Sequence, residues 1–167
     1  MDSYLADARK GILNAVEGLR PDDLARRPEG KWSIAEILEH LTLAFTSTSG
    51  VMKTAINKGI SDVSPPTWKQ RIVTGVVVGI GYMPTGRPAP SWTIPKGTPA
   101  DVAIQECLAG LEEMRNVIGD CEKKYGSAIV ALHPIIGPLT AKQWRKFHYV
   151  HTRHHMQQVL ARKQRKI

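Results

Sequence analysis

The chain has 167 residues, 42% of them hydrophobic and 23% charged, with a formal net charge of +8. That length supports one hydrophobic core and calls for no second domain, so a single domain over residues 1–167 is expected. The longest apolar stretch, Ile72 to Met83, is interrupted by glycines and is shorter than the ~20 residues a membrane-spanning helix needs, so no membrane partner is expected.

Part of the positive charge is crowded at the end of the chain, in Arg162, Lys163, Arg165 and Lys166. No base-stacking aromatic cluster or named motif accompanies it, so nucleic acid is not the expected partner, and anionic small molecules suit the same charge. Cys107 and Cys121 have no paired spacing, which argues against a disulfide framework or a thiolate metal site and for buried free thiols. No basic segment precedes an apolar run with a cleavage site, so a cytoplasmic location is expected.

Leu5, Ala8, Ile12, Ala15, Val16 and Leu19 keep a helical period from Tyr4 to Leu19, and Gly18 with Pro21 marks the stop. The link to Lys31 is polar and contains Pro21, Pro28 and Gly30, with room for one short turn around Asp22 to Arg26. Ser33 followed by Glu36 is a capping box, flanked by Trp32 and Ile37 as a hydrophobic staple, so the second long helix begins at Ser33. Ile34, Ile37, Leu38, Leu41 and Phe45 carry it toward Asn57, and Gly59 can end it.

From Gly59 to Gly97 a proline-rich connection follows, in which Trp68 to Gly79 suits either a short helix or, at Val73 and Val76 to Val78, a strand. Such a crossover often covers or lines a site, and its apolar surface around Val76 to Ile80 points to a homodimer. Thr98-Pro99-Ala100-Asp101 predicts a helix start with a hydroxyl cap, and the third long helix runs to Lys124. A loop with Gly126, Pro134, Gly137 and Pro138 leads to a second capping box, Thr140 with Gln143, which opens the fourth. The pattern predicts an all-α fold, a four-helix bundle ordered up, down, down, up, with a long crossover between the second and third helices.

Four of the six histidines, His148, His151, His154 and His155, lie within eight residues on the fourth helix. At ~100° per residue His151 and His155 stand one turn apart and about 40° from each other, the natural chelating pair, with Trp144 and His148 on the same face. His154 falls on the far side of His151 and is expected at a flank. A third ligand must come from elsewhere, and His40, close to the apolar stripe of the second helix, is the candidate. Three neutral imidazoles leave a position open for water or substrate, as at catalytic zinc sites, and zinc, nickel or iron would suit them. The competing reading is a solvated, pH-sensitive cluster or histidines that fill gaps in the bundle. A zincin is a poor fit, because Thr152 follows His151 where the metalloprotease motif has glutamate. A ferritin-like di-metal site is poorer still, since the first and third helices lack the Glu-x-x-His spacing.

The block Trp32-Ser33-Ile34-Ala35-Glu36-Ile37-Leu38-Glu39-His40-Leu41, with His133-Pro134-Ile135-Ile136-Gly137-Pro138-Leu139-Thr140 leading into Trp144 and the His151 to Gln158 run, resembles the DinB-like superfamily. The resemblance implies an up-down-down-up bundle with a three-histidine metal site at His40, His151 and His155. It implies an enzyme that joins a low-molecular-weight thiol to an electrophile, the metal holding the sulfur as thiolate. The alternatives are a metal-dependent hydrolase and a non-catalytic stress protein that binds metal or another ligand.

Around the triad, His148 is the catalytic candidate, as a proton shuttle or hydrogen-bond partner, against a packed core histidine. His133 is read as a turn-stabilising side chain in preference to a substrate contact. Glu36 is a cap, and Glu39 is expected to be solvated. Gln158 is a candidate support for a ligand, Trp32 and Trp144 are expected in the core, and Arg87 or Lys96 is placed to meet an anionic cofactor.

Overall fold

The computed structural model describes residues 3–60, 65–86 and 88–164. Arg87, Arg165 and Lys166, singled out above, lie outside the described residues. The chain is mostly helical: α1 Tyr4–Val16, α2 Pro21–Ala25, α3 Ile34–Lys58, α4 Trp68–Thr74, α5 Ala100–Tyr125 and α6 Ala141–Gln164. A π-helical turn, Gly75–Ile80, continues α4, and a short 3-10 turn spans Ser91–Thr93.

The expected helix boundaries hold where a side chain defines them. Ser33 Oγ accepts from the Glu36 amide and the Glu36 carboxylate accepts from the Ser33 amide, closing the box that starts α3. Gly59 ends α3 with φ of 88°, a conformation that costs a residue without Cβ nothing. Thr140 and Gln143 bond reciprocally at the start of α6. At α5 the expected cap does not form: Pro99 holds the cap position and makes no side-chain hydrogen bond there. The Thr98 amide is instead engaged by Glu39.

The segment expected to be a loop before α6 is an antiparallel hairpin, β1 Ile129–His133 with β2 Gly137–Thr140. Ile129, Val130, Ala131 and Leu132 supply a short apolar strand whose signal is hidden by the flanking glycine and prolines. The imidazole of His133 closes the turn, its Nδ1 accepting from the amides of Ile135 and Ile136. This is the turn-stabilising role expected of it.

The core joins Leu5 and Ile12 of α1, Ile37, Leu38, Leu41, Phe45 and Met52 of α3, Leu111, Met114 and Ile118 of α5, and Trp144 and Val159 of α6. Trp32 packs half-buried against it. Helix α3 packs along α5, and α1 along α6. The ends correspond: Glu39 meets Lys96 to Thr98 just before α5, while Tyr125 at the end of α5 donates to the Ala55 carbonyl. Tyr4 packs at a tilt against Tyr149, and Lys163 donates to the Glu17 carbonyl. Between α3 and α6 the order is opposite, His40 reaching His151 and Thr48 reaching His148.

The crossover turns out helical at Trp68–Thr74 and strand-free among its described residues. Its apolar run is partly covered from within, Val77 and Val78 being buried against the chain's own core. No helix among the described residues is long and apolar enough to cross a membrane.

Candidate metal centre

Helix geometry brings His151 and His155 together on α6, and the crossing of α3 over α6 adds His40. His151 Nε2 lies 3.2 Å from His40 Nε2 and 3.0 Å from His155 Nε2. Tetrahedral bonds of about 2.0–2.1 Å to one ion would set such nitrogens about 3.3 Å apart, so the spacing fits a shared metal. The Nε2 atoms of all three converge, and among the described residues theirs is the one grouping of this kind.

The outer hydrogen bonds decide where the protons sit. His40 Nδ1 is 2.8 Å from the Thr93 carbonyl oxygen, which can only accept, so His40 carries its proton on Nδ1 and turns an Nε2 lone pair inward. The Gln158 amide does the same for His155: its Oε1 accepts from His155 Nδ1 at 3.2 Å while its Nε2 donates to His154 Nε2 at 3.0 Å. Gln158 thus orients the ring of His155, one of the three candidate ligands.

This leaves His151 between two lone pairs. A proton on its Nε2 can be aimed at one neighbour and not both. A proton on its Nδ1 is buried without an acceptor and leaves three lone pairs facing one another. A cation at the point of convergence would turn that repulsion into attraction. Charge points the same way. Burial, and then the neighbouring imidazoles, hold His151 well below its ordinary value and His155 down to about 3. Burial likewise lowers His40. All three are neutral near pH 7, the form that binds metal.

Aromatic rings wall the site. Trp32 lies against the His40 ring with centroids 5.1 Å apart, and Phe147 stacks on His151 at 5.6 Å. His154, at the flank, is half-buried and held by Gln158.

Glu39 departs from its expected place. It is buried, not solvated, because the loop before α5 folds over it. Its carboxylate accepts from three successive amides, Lys96 at 2.8 Å, Gly97 at 3.0 Å and Thr98 at 2.9 Å. Gly97, with φ of 105°, lets those amides point to one place, an anion-binding nest filled from within. Burial pushes the Glu39 carboxyl up, but the three donors together hold it below the ordinary value. Glu39 and His40 thus grip one segment at two points, Lys96 to Thr98 and Thr93. Lys96 contributes its backbone amide here, and its side chain is exposed.

His148 is fully buried. Its Nε2 is hydrogen-bonded to Thr48 Oγ1 at 2.8 Å, and its ring sits among Phe45, Trp144 and Phe147. Burial, with His133 nearby, lowers it to about 3. These are the surroundings of the packed alternative. Both cysteines are buried, and burial pushes the Cys107 thiol up to about 12, so it offers no thiolate.

Residues 6–162 match the model of a family described as a protein of unknown function, DUF1569. The chain belongs to that family. No curated protein and no solved structure matches it. The match runs from α1 to the end of α6, so the DUF1569 region takes in His40, His151 and His155 together with Glu39, Thr93 and Gln158.

Proposed function

We propose that the protein is a metal-dependent enzyme acting on a small molecule, with one divalent ion, zinc, nickel or iron, held by His40, His151 and His155. The observation that carries this reading is the convergence of three Nε2 atoms, two of which have their protons committed elsewhere by Thr93 and Gln158. When bound, such an ion supplies Lewis acidity that lowers the pKa of a thiol or water at an open position. Thr93 and Gln158 orient the ligand rings, and Trp32 and Phe147 keep water from their faces. His148 stays neutral and fixes α6 against α3 through Thr48.

Within this reading the chain is of the DinB-like type, and its reaction is transfer of a low-molecular-weight thiol to an electrophile. What supports it is that the two sequence blocks behind the likeness come together around the triad. Trp32 lies on His40, Phe147 lies between His133 and His151, and Trp144 packs against His133 and Phe147. The end-to-end correspondences among α1, α3, α5 and α6 support an up-down-down-up four-helix bundle.

The test is elemental analysis of untagged protein, alongside consumption of a model electrophile with bacillithiol, mycothiol or glutathione as the thiol. Close to one equivalent of metal, lost in His40→Ala together with turnover, is expected. Well under one equivalent in the native protein would remove the foundation. Full metal content without turnover would leave a binding protein in place of an enzyme.

A further inference from the structure

Helix α4 is amphipathic in the wrong sense for a chain alone in water, whereas the π turn after it buries Val77 and Val78 in the core. At about 100° per residue Ile72 stands about 40° from Trp68, while Gln70 and Thr74 fall on the opposite side. It is the polar side that faces the protein: Gln70 packs against Gly137, and Thr74 Oγ1 donates to the Ile136 carbonyl. Trp68 and Ile72 point outward, 67% and 58% exposed.

The π turn prolongs that stripe. The Gly81 amide bonds to the Val76 carbonyl, an i→i+5 span that advances only about 85° per residue. Ile80 therefore returns to within about 50° of Trp68, where a continued α-helix would have carried it about 120° away. Ile80 is 79% exposed, and Tyr82 follows it into solvent. Lys69 and Arg71 flank the stripe on its two sides, both exposed. Lys146 and Arg153 of α6 donate to the Gly79 and Gly81 carbonyls and hold the segment in place.

The charge pattern selects what covers this face. Between Asp62 and Asp101 the sequence has no acidic residue, while Lys69, Arg71, Arg87 and Lys96 are basic. A second copy docked by a two-fold axis would bring Lys69 and Arg71 against themselves with no carboxylate from this segment to meet them. An apolar stripe with a tryptophan and a tyrosine, edged by cations and free of acids, matches the interface of an anionic bilayer. There aromatic rings sit at headgroup level and basic side chains meet the phosphates. We infer that Trp68, Ile72, Ile80 and Tyr82, with Lys69 and Arg71, form a docking face for the surface of an anionic phospholipid membrane. This is peripheral contact without any span, and it does not depend on the metal reading.

The experiment is co-sedimentation of the full chain with vesicles of phosphatidylcholine alone or mixed with phosphatidylglycerol. Binding to the mixed vesicles, weakened by salt and at least about tenfold weaker to phosphatidylcholine alone, is expected. Trp68→Ser/Ile72→Ser/Ile80→Ser and, separately, Lys69→Glu/Arg71→Glu should each weaken it at least about tenfold while the circular dichroism of the protein is kept. No binding by the native protein would overturn the inference, as would binding that both variants retain, which would assign it to the basic C-terminal residues. A native dimer that the triple-serine variant turns into a monomer on sizing would also overturn it, because a second copy would then be the occupant.

Discussion

The Nδ1–H of His40 is donated across the fold to the carbonyl of Thr93, 2.8 Å away. That bond fixes which nitrogen faces the other two histidines, and it ties the candidate metal centre to the end of the crossover. The same segment is gripped by Glu39, through the amides of Lys96, Gly97 and Thr98.

Removing any one of the three histidines should abolish stoichiometric metal. His151→Ala should be the most complete, because its Nε2 lies near both others. His154→Ala should leave the metal content near the native level, although it frees the Gln158 amide. Elemental analysis of the four proteins, purified without tags, provides the check.

Glu39→Gln should loosen the loop that positions Thr93 without touching a metal ligand. The carboxamide loses a charge and sets an N–H against amide donors, at a stability cost of about 1–3 kcal/mol. Metal affinity should fall about 10–100-fold, as for other residues that orient ligands through a partner. Competition with a chelator reads the affinity, and urea unfolding of the metal-free protein reads the stability. Unchanged affinity in a folded variant would show that the loop does not govern His40.

Thr48→Val removes the hydrogen-bond partner of His148 while keeping the volume of the side chain. Stability should drop by about 1–3 kcal/mol, with metal content unchanged. A large loss of turnover at unchanged stability would instead give His148 a part in the chemistry.

His133 makes stability depend on pH. Burial lowers its folded value to about 4, whereas in the unfolded chain it titrates near the ordinary 6.5. The unfolded state therefore binds the proton first as pH falls. Its contribution is complete above pH 6.5, is lost progressively below that, and is gone by about pH 4. His133→Asn should flatten this part of the curve of urea midpoint against pH, relative to the native protein.

Much of the frame can be read locally because local chemistry sets it. Ser33 with Glu36, Gly59, and Thr140 with Gln143 mark helix ends within a few residues, and the i, i+4 spacing of His151 and His155 is already a chelate. Glu39 could not be placed this way. What buries it is a loop more than fifty residues further on, and the only local sign is Gly97, a residue suited to a backbone nest. The hairpin was hidden because His133, not a standard turn residue, supplies the acceptor for its turn. The π turn has no counterpart in a period of 3.6, so the phase of Ile80 emerges only from the backbone.

Thr140 is at once the last residue of β2 and the cap of α6, with no linker between them. Its partner across the hairpin is Ile129, and the register is interrupted once, between Ile129 and Ala131. Strand pairing therefore acts as the angular index of α6. Inserting one residue between Thr140 and Gln143 would rotate everything downstream by about 100° and swing His151 and His155 away from His40. The small sheet is the protractor against which the histidines are aimed.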